Sequence, residues 1–482
     1  MRFGLQKMTA VALSVLATVG LTAPAQAASP TTPRIDWQRC SGADPSETLR
    51  CGQLSVPVDW SRPGTSPRTT VDVARMPAAD PEHRVGTLFF NPGGPGDGEV
   101  GYLRDAQARE QYFPQRIRDR FDIVAVEPRG TGINPPLNCP SPVDLSVSRF
   151  PTDRSAVAAL VRSNRQFAKD CAQGTGPLFA HLDTGSIARD MDAVRTALGE
   201  QTVSFLGLSY GTMVAQSYAE LYPARVRAMV VDGVVDRSLT WRRMAEIDAA
   251  AVEDGVGRFA RWSDENAPSA LHGQDVRGLL TSLLHRADDG AIKDADRRVR
   301  AEEIAHAVNT GLQTPKFYEM LATALRKTAD SNDFAPLAPF AAADNPEYAA
   351  YRSIICQDIP GPADAETTLP AAVRQVRKAG PTLRGYSEFW DIASGCAGWP
   401  VNSPWKPHTW QVPTTFPPVL LLSGAHDVAT PPPFADRVRR TLPTSKLLRW
   451  NTDGHTAWHN SPTTVDAAVD YLTTLRMPKA AS

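Results

Sequence analysis

Short apolar runs, each closed by glycine or a polar turn, recur through the first half of the chain. Gly86 to Asn91, Phe121 to Val126, Thr202 to Leu206 and Val226 to Val231 are such runs, rich in β-branched and aromatic residues. Continuous runs of this kind read as strands buried on both faces, the pattern of a parallel sheet between two layers of helices. Among them Ile187, Met191, Val194 and Leu198 repeat at helical spacing and predict an amphipathic helix over Ser186 to Leu198. From about Gly233 to Pro400 the strand pattern stops, and an Ala-, Arg- and Asp-rich helical pattern replaces it. Strands return at Pro418 to Ser423 and Lys446 to Trp450, with a closing helix near Val465 to Leu475. A sheet interrupted and then resumed puts the interruption at its edge, as a lid. The fold class is therefore α/β: a mostly parallel central sheet, helices on both faces, and a large helical lid inserted after the sixth strand. The predicted divisions are 28–232 and 401–482 for the sheet domain and 233–400 for the lid.

The amino terminus reads differently. Arg2 and Lys7 precede an apolar run from Met8 to Leu21 and then Ala25-Gln26-Ala27, the three parts of a secretory signal peptide over residues 1–27. The run is too short to span a bilayer, so the expectation is a secreted, extracellular protein with no membrane attachment after cleavage. Export changes the meaning of the 6 cysteines, whose even number suggests disulfides in an oxidising compartment. Proximity along the chain pairs Cys40 with Cys51, Cys139 with Cys171, and Cys356 with Cys396. No C-x-x-C occurs, and no metal or cofactor is expected. With 51 Lys+Arg against 52 Asp+Glu there is no basic excess to drive nucleic-acid binding, and 42% hydrophobic residues allow a large core. A monomer is expected.

The candidate chemistry begins at Gly207-Leu208-Ser209-Tyr210-Gly211, a G-x-S-x-G between an apolar strand and a helical stretch from Thr212 to Leu221. That setting is a nucleophile elbow: a sharp turn lifts the serine Oγ above the carboxyl end of the sheet. A serine nucleophile needs a base and the base an orienting carboxylate, in the chain order Ser, acid, His. His455 follows the last strand and is the predicted base; His459 and His426 are its competitors. Asp427, just past the strand beginning at Val419, is the predicted acid, with Asp232 as its rival. Two backbone amides should stabilise the oxyanion. One is that of Tyr210, and the other comes from Asn91-Pro92-Gly93-Gly94-Pro95-Gly96, where Gly94 is preferred over Gly93.

With these residues assembled, the chain resembles the secreted tripeptidyl aminopeptidases of the actinobacterial α/β-hydrolases, relatives of the proline iminopeptidases. The resemblance rests on Asn91 to Gly96, Glu127-Pro-Arg-Gly-Thr-Gly132, Gly207 to Thr212, Cys356-Gln-Asp358, Cys396-Ala-Gly-Trp-Pro400, Asp427-Val-Ala-Thr-Pro431 and Gly454-His455, in that order. It implies a serine exopeptidase that releases short peptides from a free N-terminus, with the lid closing the far end of the cleft. Such an enzyme needs carboxylates for the substrate ammonium, and the lid offers Glu246, Glu319, Asp358 and Glu388 without singling one out. The chain departs from its relatives at Asp97-Gly98-Glu99, where they usually read Gly-Ser-Gly. Those two carboxylates either oppose the oxyanion, face solvent or receive a substrate ammonium, and the sequence does not choose.

Other patterns compete weakly. Gly96 to Gly101 is a formal G-x-G-x-x-G followed by Glu127, but Asp97 and Glu99 would repel a pyrophosphate. Ser403-Pro-Trp-Lys406 matches S-x-x-K in a proline-rich loop instead of a helix start, and His455 and His459 lack the glutamate of H-E-x-x-H. The serious alternative is an esterase or amidase with the same triad and a non-peptide acyl substrate. A catalytically silent binding protein is disfavoured by the intact Ser, Asp and His.

Overall fold

The computed structural model describes residues 1, 34–41, 48–96, 98–132, 137–341, 346–401 and 406–479. The predicted leader beyond Met1, Asp97, and Ser403 of the S-x-x-K match lie outside the described residues.

Strands β1 (Gln38–Arg39), β2 (Arg50–Pro57), β3 (Arg68–Met76), β4 (Gly86–Asn91), β5 (Phe121–Val126), β6 (Val203–Leu208) and β7 (Val226–Asp232) precede the long helical stretch. That stretch contains a two-residue hairpin, β8 (Lys293–Asp294) with β9 (Arg297–Arg298), and is followed by β10 (Val419–His426) and β11 (Lys446–Asp453). The main sheet runs β1-β2-β3-β5-β4-β6-β7-β10-β11. Its first three strands are antiparallel, β3 meets β5 antiparallel, and every pairing from β5 to β11 is parallel. Helices α1 (Glu99–Arg104), α2 (Ala106–Tyr112), α3 (Gln115–Arg120), α4 (Arg154–Thr175), α5 (Thr184–Ala197) and α6 (Gly211–Leu221) belong to the first part. The insertion carries α7 (Trp241–Glu265), α8 (Val276–Asp288), α9 (Ala301–Leu312), α10 (Tyr318–Ser331), α11 (Pro346–Asp358), α12 (Ala365–Ala379) and α13 (Glu388–Gly395). After it come α14 (Pro432–Thr441), α15 (Ala457–Asn460) and α16 (Pro462–Thr474). This is the α/β-hydrolase architecture.

Alternation along the buried strands divides the apolar side chains between two cores. Phe89, Val124, Phe205, Val231 and Leu421 point into a cluster shared with α4 to α6 and with the insertion helices. Leu88, Phe90, Leu206, Val230 and Leu422 point to the other face, against α1, α3 and α16. At about 1.5–3 kcal/mol for each large side chain buried, the insertion is held as an extension of the first core.

Three differences from the sequence reading stand out. The hairpin of β2 and β3 was not among the predicted strands, although its alternating polar and apolar residues suit strands half-buried on one face. The insertion is not wholly helical, since β8 and β9 interrupt it. It follows β7, which is the sixth strand only when the two-residue β1 is left out. Three disulfides join Cys40 to Cys51, Cys139 to Cys171 and Cys356 to Cys396.

Register brings the functional loops together. Asp232, the last residue of β7, lies opposite both Leu208 of β6 and Leu422 of β10, and His426 lies opposite Asp453. The residues that follow these strands therefore emerge at one edge of the sheet.

Candidate active site

Ser209 directly follows β6 and has a left-handed backbone, φ 53°. For a residue with a Cβ this conformation costs roughly 1–2 kcal/mol. It is held by the Ser209 amide donating to the Asp232 carbonyl (2.8 Å) and by Thr212 Oγ1 donating to the Ser209 carbonyl (2.7 Å). The flanking glycines are required by contact: a Cβ at Gly207 would lie 2.5 Å from the Gly211 carbonyl oxygen, and one at Gly211 2.4 Å from that of Asn91.

His455 and Asp427 are brought together. His455 Nδ1 lies 2.9 Å from Asp427 Oδ2 and 3.0 Å from Oδ1. Asp427 also accepts the amides of Ala429 and Thr430, each at 2.9 Å, and the Thr430 hydroxyl at 2.8 Å. Burial opposes the imidazolium, but the charge and hydrogen bond of Asp427, helped by Glu388 and Asp232, outweigh it and raise the His455 pKa. His455 Nε2 is buried with no hydrogen-bond partner among the described residues, and none joins it to Ser209 Oγ. Both residues nevertheless adjoin the end of β7. Asp232 receives the Ser209 amide, and a Cβ on the next residue, Gly233, would lie 2.9 Å from His455 Cε1.

The rival residues have other partners. Asp232 accepts the Ala457 and Trp458 amides, each at 3.0 Å, and so anchors the loop that carries His455. Burial pushes its pKa up to about 7. His459 packs edge-on against Tyr112, with Nε2 3.2 Å from the Tyr112 hydroxyl, and burial lowers its pKa to about 4. His426 pairs with Asp254 at 3.0 Å.

The loop after β4 lies against the elbow: a Cβ at Gly93 would approach Ser209 Cβ to 2.8 Å and the Tyr210 amide nitrogen to 3.3 Å. The Gly93 amide donates to Asn91 Oδ1 at 3.0 Å, whereas Gly94 is exposed. Glu99 faces neither solvent nor a cation. It is 1% exposed and accepts a hydrogen bond from Asn91 Nδ2. In the motif at 127–132, Arg129 forms a buried bidentate pair with Asp190 (2.6 and 2.7 Å), tying β5 to α5.

The four lid carboxylates separate clearly. Glu246 pairs with Arg243 at the surface and Glu319 is exposed on α10. Asp358 is buried and accepts the Tyr210 hydroxyl (3.0 Å) and both donors of Thr184 (2.8 and 2.9 Å). Glu388 alone interacts electrostatically with His455, and burial pushes its pKa up to about 7. It accepts from Tyr351 at 3.3 Å and Gln313 at 3.5 Å, and the Gln313 carbonyl in turn accepts the His455 amide at 2.8 Å. Beside it Asp248, unremarked in the sequence, accepts the Phe389 amide through Oδ2 (2.9 Å) while Oδ1 is buried without a hydrogen bond. Only the helical lid pattern hinted at these acids.

A family model described as TAP-like protein matches residues 383–482. The chain is 30% identical over 427 residues to serine protease Hip1 of Mycobacterium tuberculosis, covering 82% of this chain and 80% of that protein. It is 27% identical over 435 residues to the tripeptidyl aminopeptidase of Streptomyces coelicolor, covering 86% and 79%. It is also 30% identical over 465 residues to carboxylesterase B of Mycobacterium tuberculosis, covering 91% and 87%.

Proposed function

We propose, from the premise that this chain belongs to the TAP-like α/β-hydrolases, that it is an exported serine exopeptidase releasing di- or tripeptides from the free N-terminus of peptides. In this reading His455 takes the proton of Ser209 as Oγ attacks the scissile carbonyl. The amides of Tyr210 and Gly94 receive the oxyanion, Asp427 holds the imidazole in place, and His455 then protonates the leaving amine. Water releases the acyl-enzyme by the same route.

The observation that carries the exopeptidase reading is Glu388. It is a half-buried lid carboxylate beside the base, and no Lys or Arg pairs with it among the described residues. A carboxylate kept from water without a cation favours a ligand that brings one, such as a peptide ammonium. The predicted leader and the three disulfides support export. A second reading, an esterase, is favoured by the likeness to carboxylesterase B, which spans more of the chain than the peptidase likenesses.

Peptidyl arylamides with free and blocked N-termini, compared with p-nitrophenyl esters, separate the two. The exopeptidase requires the free amine, and Glu388→Gln lowers kcat/KM for it by about 100-fold while ester turnover stays within about threefold. Indifference to the free amine with dominant ester turnover selects the esterase. Near-native turnover by Ser209→Ala rejects both.

A further inference from the structure

The proposed mechanism leaves a pair of buried acids unused. Glu99 opens α1 and Glu127 follows β5, and they are 1% and 3% exposed. Glu127 is fully engaged: its Oε1 accepts the Glu99 amide (3.0 Å) and the Thr131 hydroxyl (2.9 Å), and its Oε2 accepts the Val100 amide (3.0 Å). Glu99 Oε1 accepts from Asn91 Nδ2, while Oε2 is buried without a partner among the described residues. Among the described residues no Arg, Lys or His pairs with either acid. Two buried carboxyls in mutual repulsion without a cation retain a proton between them. The member with three donors is the better carboxylate, so Glu99 is the neutral acid. Burial first, then the charge of Glu127, push the Glu99 pKa well up.

From Glu99 a chain of contacts leads to the nucleophile. Asn91 Nδ2 is held by Glu99, Asn91 Oδ1 receives the Gly93 amide at 3.0 Å, and Gly93 packs against Ser209 and the Tyr210 amide. Asn91 Oδ1 takes up the Gly93 amide, and the next residue, Gly94, is exposed. We propose that Glu99 is a positioning residue for the oxyanion loop, fixing the Asn91 side chain so that the Gly93 amide is turned inward and the Gly94 amide outward. The inference rests on the assignment of Ser209 and the 91–96 loop above, and deepens it. It settles the choice left open for Glu99: the side chain neither opposes the oxyanion as a free charge nor receives a substrate ammonium.

The elements packed against α1 are α2, β3 and β5. Their charged groups are otherwise engaged. Arg75 of β3 pairs with Asp122 of β5 (2.6 Å), Asp105 caps α2, and Arg109 of α2 donates to the Leu103 and Arg104 carbonyls. Burial, with a smaller contribution from Asp72 of β3, raises the Glu127 pKa, and Tyr210 lies within the field of Glu99. Ionisation of the second carboxyl therefore puts an uncompensated charge beside the oxyanion loop, which disfavours the transition state.

The test uses the full chain with p-nitrophenyl acetate near neutrality and a free-amine peptidyl arylamide from neutral to alkaline pH. Covalent labelling of Ser209 by a fluorophosphonate counts the competent sites. Glu99→Ala should lower kcat about 10-fold, short of the roughly 100-fold or more that follows loss of a whole oxyanion donor, with KM within about twofold. Glu99→Gln keeps an oxygen acceptor for Asn91 without the ionisable proton. It should restore most of that loss and abolish the alkaline fall in kcat expected of the unaltered chain. Unchanged kcat in Glu99→Ala, or a Glu99→Gln variant as slow as Glu99→Ala, overturns the proposal. If Glu99→Ala does not fold, the Gln variant decides alone, and an alkaline limb identical to that of the unaltered chain overturns it. An unaltered chain that is never labelled at Ser209 overturns the functional reading instead, and this inference with it.

Discussion

Asp427 and Asp232 at the strand ends are held differently from Glu388 and Asp248 in the helical insertion, whereas Asp358 of the insertion, with three donors, is held as the strand-end acids are. At the strand ends, Asp427 has three donors from its own loop besides His455, and Asp232 has two amides from the loop it anchors. In the insertion, Glu388 has only two long side-chain contacts, and Asp248 keeps a buried oxygen with no hydrogen bond. Saturated acids, whose two oxygens both receive short, directed donors, fix geometry. An unsaturated acid, shielded from water with long or missing donors, carries an unfavourable desolvation that a cationic ligand or a retained proton relieves. In the proposed reading the difference divides the labour: the sheet edge sets the chemistry and the insertion sets the substrate.

The largest effect should come from breaking the saturated side. Asp427→Asn removes the charge that outweighs burial at His455 and is expected to lower kcat/KM by about 10⁴-fold. In the proposed mechanism catalysis requires neutral His455, so its raised pKa should place the acid limb of the unaltered chain above the ordinary imidazole range. In the variant burial prevails, and the limb moves to lower pH. A pH profile of kcat/KM on an arylamide checks both, and an unmoved limb would contradict the role given to Asp427.

The unsaturated side is broken less locally. Cys356 and Cys396 tie the end of α11 to the end of α13, the helix that begins at Glu388, over a separation of 40 residues. Closing such a loop is worth about 4 kcal/mol. The double change to Ser should lower stability by up to that amount in urea titration, and hydrogen exchange should rise in α11 and α13 before it rises in β6 or β7. Uniform exchange across both regions would mean that lid and sheet open as one unit.

The same contrast decided what could be read from the chain alone. β4 and β5 match their predicted runs residue for residue, because strands buried on both faces leave an uninterrupted apolar signal. β6 extends to Leu208, beyond the predicted run, since the elbow begins only where the strand stops. The candidates Asp427 and His455, which the structure brings into contact, could be singled out for the same reason, as each follows a readable strand within a few residues. Glu388 was not, because its meaning depends on Gln313, Tyr351 and the His455 loop, which only tertiary packing brings near. Glu99 was misleading on its own: beside a glycine-rich loop a carboxylate suggests solvent or ligand, and only Glu127 and Asn91 show why it is inside.

The two regions meet at Tyr210, whose amide is the proposed oxyanion donor and whose hydroxyl donates to Asp358 of α11 at 3.0 Å. Tyr210→Phe removes that bond while keeping the ring and the amide, so the expected loss is small, about 1 kcal/mol of stability and a few-fold in kcat. Its pH dependence is the sharper measurement. Burial pushes the Asp358 pKa up to about 7, so its neutral form suits the folded state. Its contribution to stability is complete below the ordinary carboxylate range and is lost as pH rises through about 7. The tyrosine hydroxyl supports the ionised form. Its removal should therefore matter little in acid and more above neutrality, giving a gap in melting temperature between the variant and the unaltered chain that widens with pH. A gap of constant width would show that Tyr210 ties lid to elbow by shape alone.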